Sequence, residues 1–240
     1  MKQFPAVCGS IASSRRRSSY QTAVLADNPV AYWPLNDASG AFVDLVSGLQ
    51  AAANGTITRQ VSTGLTKLGT GASFGGTTAD YAEVASGSAG SLNITGDVTY
   101  EAWIKPSGGA GANRLIASKG NTATNGGYGM WINTSNKLLF SQVQAGVSLV
   151  VGGTTLSVGT LYYVVVTRSG NNYVAYVNAT SDGTNTSAQA INGVATPFDI
   201  AIWNNNNSRT LPFPGLIADV AIYNAALSPT RITAHYNAAN

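Results

Sequence analysis

The chain has 240 residues, of which 10% are charged and 44% hydrophobic, with 27 glycines, 11 tyrosines and a net charge of +3. This length buries the core of one large β domain or two small ones. A charged fraction far below the usual ~25% excludes a charge-dense disordered chain and a coiled coil, and no stretch approaches the roughly 18 apolar residues of a membrane span.

The positive charge lies at one end. Lys2, Arg15, Arg16 and Arg17 precede residue 20, where no acid occurs, and the remainder carries nine bases against ten acids. Residues 1–19 therefore read as an extended basic arm, and residues 20–240 as one nearly neutral domain. An arm of this kind suits a negatively charged partner. An arginine triplet without interleaved aromatics points to protein docking or a solvated arm rather than nucleic acid. The arginines follow the weakly apolar run 4–11, whereas a secretory signal places its bases first. Phe4, Arg15, Arg16 and Arg17 are the residues expected to anchor the chain to other protein subunits. Cys8 is the single cysteine, so no internal disulfide or cysteine-based metal site is available.

After the arm, residues 20–26 form a candidate helix ending at Asp27-Asn28-Pro29. Residues 30–35 read as a strand in which Pro34 marks an edge or a bulge. Residues 36–76 are rich in turn formers, and strands come more regularly after them. Strands are then predicted over 81–85, 97–105, 114–118, 128–133 and 137–142. A further pair, 161–168 and 173–178, flanks the turn residues Ser169-Gly170-Asn171-Asn172 as a hairpin. Val164, Val165 and Val166 are apolar on both faces, as in a central strand covered on both sides. Strands over 198–203 and 216–223 follow. A terminal helix begins at Ser228, its N-cap, with Pro229 in the first turn. Short strands, frequent turns and one convincing helix imply an all-β sandwich.

Several segments carry a recognisable pattern. Asp27, Pro29, Tyr32, Trp33 and Leu35 form a D-x-P-x-x-Y-W-x-L opening, followed by Asp44 before Ser47-Gly48. Phe74, Gly76, Asp80 and Tyr81 form F-x-G-x-x-x-D-Y. Thr99, Glu101, Ala102, Trp103, Lys105 and Pro106 form T-x-E-A-W-x-K-P. Gly215, Ile217, Asp219, Val220, Ile222, Tyr223, Asn224, Ala226, Leu227 and Ser228 form the closing run, with His235-Tyr236 beyond it. In these segments the chain resembles the laminin-G-like, concanavalin-A-like jelly-roll superfamily, in particular its bacterial and phage branch. The resemblance spans roughly residues 20–238. It implies a two-sheet antiparallel jelly-roll sandwich with a short C-terminal helix. The chain departs from the pattern at Ala179, where a turn glycine is usual, and at Ala218, where an acid often stands. It departs again where Ile200-Ala201-Ile202-Trp203 runs into Asn204–Asn207.

Candidate chemistry is sparse. Some relatives cleave glucans with paired carboxylates on one strand. This sequence has two glutamates, Glu83 and Glu101, and neither lies in such a motif. A Glu83–Glu101 pair on neighbouring strands is the remaining geometric route, but Glu101 reads as a structural hydrogen-bonding group. His235, the single histidine, reads as a packing or capping residue. No enzymatic activity is expected. The resemblance implies a structural Ca²⁺ held by Asp44, Asp80 and Asp219 at one sandwich edge, since a hard cation takes carboxylate and carbonyl oxygens. The competing reading makes these aspartates turn formers. For sugars, an aromatic face and nearby amides are required. Trp203 with Asn204 and Asn205 is one such group, and Tyr128, Trp131 and Asn133 are another. The competing reading has Trp203 plugging the sandwich end and the asparagines as solvated loop.

Together these observations predict a non-catalytic structural or interaction protein. It is expected to be a lectin-like jelly roll on the surface of a large particle, such as a phage capsid decoration protein, anchored by its arm and facing the exterior, with possible adhesion to surface glycans. The alternative is a carbohydrate-binding or adhesion module of a cell-surface or tail-fibre protein; a glycan-cleaving enzyme comes last.

Overall fold

The computed structural model describes residues 17–121, 126–142, 147–205 and 207–240. Helix α1 (Ser19–Ala26) is fixed by a capping box. The Ser18 side chain accepts from the Gln21 amide at 3.1 Å, and the Gln21 side chain accepts from the Ser18 amide at 3.3 Å. Seven strands follow: β1 (Ala31–Trp33), β2 (Phe42–Val43), β3 (Gln50–Asn54), β4 (Ile57–Ser62), β5 (Thr70–Gly75), β6 (Tyr81–Val84) and β7 (Val98–Pro106). The middle of the chain supplies β8 (Arg114–Asn121), β9 (Gly126–Ile132), β10 (Leu138–Gln142), β11 (Ser148–Val151), β12 (Tyr162–Ser169), β13 (Asn172–Val177) and β14 (Thr180–Thr186). The chain closes with β15 (Phe198–Ile200), β16 (Trp203–Asn205), β17 (Ser208–Thr210), β18 (Pro214–Tyr223) and helix α2 (Pro229–Ala239).

The first sheet has the order β14-β13-β12-β7-β18-β5-β4, with β1 also paired to β18. The second runs β11-β10-β9-β8-β15-β6-β3-β2, and β16-β17 form a separate hairpin. This is the expected antiparallel two-sheet jelly roll. The sandwich interior holds Trp33 stacked on Phe198 at 5.2 Å, with Tyr100, Tyr128 and Phe140 packed edge-on or tilted nearby. Val164 and Val166 face this interior, while Val165 faces the opposite side beneath the helices. Both faces of β12 are thus covered, as its apolar run requires.

Two segments differ from the expected elements. Residues 36–76 contain four strands, β2 to β5, whose short lengths and interrupting turns hide their periodicity. One of them is broken by a bulge at Gln60, whose φ is +54°. The strand predicted over 198–203 is split, because Ala201 has φ +67° and turns the chain out of the sheet. The excursion is tied back by Phe213 N–H to Ala201 O at 2.9 Å and by Leu115 N–H to Leu211 O at 3.0 Å. Helix α1 matches the candidate helix over residues 20–26 and begins one residue earlier. It packs with α2 on the outer face of the first sheet, joined to it by the Arg231–Asp27 pair at 2.8 Å. At the β13–β14 turn, Asn178 and Ala179 have φ of +49° and +63°, the left-handed pair of a two-residue hairpin turn. Ala179 therefore occupies a conformation that glycine adopts without strain.

Candidate functional site

The outer face of the first sheet is a closed polar network. Glu101 on β7 is fully buried. It accepts hydrogen bonds from the hydroxyls of Tyr20 and Tyr163, each at 2.9 Å, and lies 3.0 Å from His235 Nδ1. His235 Nε2 sits 2.9 Å from Asp27 Oδ2, an ion-pair separation without the alignment of a hydrogen bond. Burial opposes charge on His235, but the hydrogen bond and charge of Glu101 outweigh it, assisted by Asp27, and the imidazole pKa is raised. Glu101 and His235 thus take the structural roles expected of them. The Glu83–Glu101 pair does not form: Glu83 lies on β6 in the second sheet and Glu101 on β7 in the first.

The three aspartates proposed for calcium are not gathered. Among the described residues no group of three or more His, Cys, Asp or Glu side chains stands in a metal-ligating cluster. Asp44 accepts from the amides of Tyr32, Val46 and Ser47, and from the Ser47 hydroxyl. It closes its own turn. Asp80 accepts from the Thr56 amide and the Thr77 hydroxyl. Burial works against its charge, yet these donors outweigh it and hold its pKa low. Asp219 is buried in the bulge of β18 with φ +54° and accepts from the Tyr32 hydroxyl. Burial raises its pKa far above the carboxylate range, although the Tyr32 bond acts the other way. Each carboxylate is committed to a different part of the chain.

The outer face of the second sheet differs. Leu115, Trp131 and Leu139 are cross-strand neighbours on β8, β9 and β10, and they point away from the main core. Trp203 and Leu211, on either side of the β16–β17 hairpin, complete this cluster. The two indoles meet edge to face, with centroids 5.8 Å apart and planes at 72°. Trp131 lies over Gly129, two residues earlier on the same face. A Cβ at Gly129 would fall 2.8 Å from Trp131 Nε1, so glycine here provides the space for the indole. Beside the pair opens a groove of about 360 Å³ lined by Asn113, Asn133, Ser141, Ser148 and the two tryptophans, among others. The indole N–H groups of Trp131 and Trp203 are buried and have no hydrogen-bond partner among the described residues. Such groups normally find one.

The structure therefore brings together Trp131, Asn133 and Trp203 from the two predicted sugar-binding groups. It removes Tyr128, which is buried in the sandwich interior edge-on to Tyr100. Residues 128 and 131 are three apart on one strand and so face opposite ways, a signal already present in the spacing. Asn204 is also removed. Its Nδ2 donates to Glu83 at 3.2 Å, and its Oδ1 accepts from the Asn207 amide at 2.8 Å. Asn205 pairs with Ser208 in the hairpin and does not line the groove.

Asp199, a residue the motifs did not indicate, stands directly opposite Glu83 across β15 and β6. It is almost wholly buried, and burial raises its pKa well above the carboxylate range, with the neighbouring Glu83 adding to the effect. Arg209 from the hairpin pairs with Glu83 at 2.6 Å and lies over the Tyr81 ring at 4.3 Å. Glu83 thus holds the hairpin, and with it Trp203, down on the sheet. The alternation Phe198-Asp199-Ile200 was the available signal, since a strand with apolar neighbours inward points the intervening acid outward.

Of the arm, Arg17 is exposed and lines a recess of about 370 Å³ with Ser18, Gln21 and Leu45. Phe4, Arg15 and Arg16 lie outside the described residues.

The sandwich, its helix-covered face and its aromatic groove define a lectin-like jelly roll. The family model of the concanavalin A-like lectin/glucanases superfamily matches residues 75–233, and the chain belongs to that superfamily. No curated protein matches it in sequence. Among solved structures it is similar to domain 4 of AbnA, a GH43 extracellular arabinanase from Geobacillus stearothermophilus, in complex with arabinotriose. The TM-score is 0.64 at 15% identity, covering 88% of this chain and 98% of that one. The binding domain of botulinum neurotoxin DC in complex with SialylT gives a TM-score of 0.66 at 14% identity, covering 89% and 52%. Trypanosoma rangeli sialidase in complex with the inhibitor DANA gives 0.61 at 14% identity, covering 86% and 32%. This chain thus spans about half of the toxin domain and a third of the sialidase.

Proposed function

We propose that this chain is a non-catalytic carbohydrate-binding module whose site is the Trp131–Trp203 groove. The observation that carries the reading is the pair of edge-to-face indoles beside a groove lined by amide and hydroxyl groups. Sugar C–H faces stack on aromatic rings, and hydroxyls pair with amides and N–H groups. The domain-4 and toxin-domain structures, solved in complex with arabinotriose and SialylT, support the same reading. Display on a large particle through the N-terminal arm belongs to this proposal and draws on the charge asymmetry of the sequence. Trp203 is half-buried on the hairpin, so its replacement leaves the core intact. Trp203→Ala is expected to weaken oligosaccharide binding by about tenfold or more, as loss of a stacking anchor does, with the melting temperature nearly unchanged. Unaltered affinity in titration calorimetry would count against this site.

A further inference from the structure

Resting on that reading, we infer that the groove selects uncharged glycans and discriminates against sugars bearing carboxylates. Among the described residues no charged side chain lines it. The undescribed internal positions, 122–125, 143–146 and 206, contain no Lys, Arg, Asp or Glu in the sequence. An anionic sugar brought into a partly dry groove requires a cation or several aligned donors, because an unpaired charge there is costly.

Three nearby cations among the described residues are already engaged. Arg209 is held by Glu83 and stacked on Tyr81. Arg114 is buried and donates to the Gly108 carbonyl and to Asn136 Oδ1. Lys119 is buried and donates to the carbonyls of Val194, at 2.9 Å, and Thr196. Lys137, in the turn between β9 and β10, is half-exposed and does not line the groove. The groove offers instead two indole rings, asparagine amides and serine hydroxyls, a set suited to neutral sugars and their hydroxyls.

Titration calorimetry on the full chain tests this with arabinotriose, lacto-N-neotetraose, the sialylated form of that tetrasaccharide, and trigalacturonate. At least one neutral probe is expected to bind, with acidic probes about tenfold weaker or worse. The neutral affinity is expected to change less than about twofold between roughly 20 and 300 mM salt, since it involves no ion pair. Equal or tighter binding of an acidic probe, weakened by salt, overturns the selectivity while leaving a glycan site standing. Loss of that binding in Lys137→Ala would identify the cation responsible. Absence of binding by every probe overturns both this inference and the glycan-binding function.

Discussion

The two outer faces of one sandwich are built in opposite ways. On the first sheet, two helices seal Glu101, His235, Tyr20 and Tyr163 into a network in which Glu101 is paired with hydroxyls and an imidazole. On the second, a short hairpin covers only part of the sheet and leaves a groove lined by amide and hydroxyl groups. The first arrangement uses polar groups to fix one packing of helix on sheet. The second keeps polar and aromatic groups available for something else. A buried hydrogen-bond network rigidifies the packing it spans, whereas amides and hydroxyls on an open groove can exchange water for a ligand. The recognisable Glu101 and His235 thus belong to the stabilising face, and the less conspicuous groove belongs to the face proposed to bind glycan.

The largest expected effect breaks the closed face. Glu101→Gln removes the charge facing His235 and replaces one of the two accepting oxygens by an NH2 donor that faces other donors, and loss of one partner of a buried ion pair costs about 3–5 kcal/mol. In a domain of this size that corresponds to a fall of very roughly 6–20 °C in melting temperature. The glycan affinity of the folded protein should stay the same, because Glu101 is on the opposite sheet. A comparable loss of affinity would show that the two faces are coupled.

A smaller effect should appear on the binding face. Gly129→Ala places a methyl group 2.8 Å from Trp131 Nε1, so the indole must shift. Overpacking of this kind costs about 1–3 kcal/mol. Glycan binding is expected to weaken, and Trp fluorescence to shift. Unchanged binding and fluorescence would mean that Trp131 does not set the groove.

The smallest effect is a pH dependence. The pKa values of Asp219 and Asp199 are raised, both primarily by burial. The folded protein therefore keeps protons that the unfolded chain releases above the carboxylate value of 3.8. Stability falls as pH rises towards the raised values. His235 has the same sign: its contribution is full below the ordinary imidazole value of 6.5 and is lost as pH climbs through its raised pKa. Denaturation midpoints are expected to be higher at about pH 5 than at about pH 8. Asp219→Asn mimics the protonated carboxyl and tolerates the left-handed backbone there, so it should flatten part of this slope. An unchanged slope would exclude Asp219 as a contributor.

Features governed by neighbours in the chain were legible beforehand. Ser228 caps α2 through its hydroxyl, 3.3 Å from the Arg231 amide, as the Ser-Pro pair indicates. The hairpin at 169–172 and the doubly covered run Val164–Val166 follow from turn chemistry and period alone. The odd spacing of Tyr128 and Trp131 also contained their separation onto two faces, although shared aromatic character suggested one site. What depended on tertiary structure was every relation across the sheets. The left-handed Ala201 swings the hairpin over the second sheet, and pairing of β15 with β6 sets Asp199 against Glu83. Trp203 reaches Trp131, seventy-two positions earlier, because both of these hold. Local sequence determines caps, turns and the inward or outward sense of a strand through short-range backbone geometry. Which outward residues meet is decided by register and by where the chain leaves the sheet, and those depend on packing the whole sandwich at once.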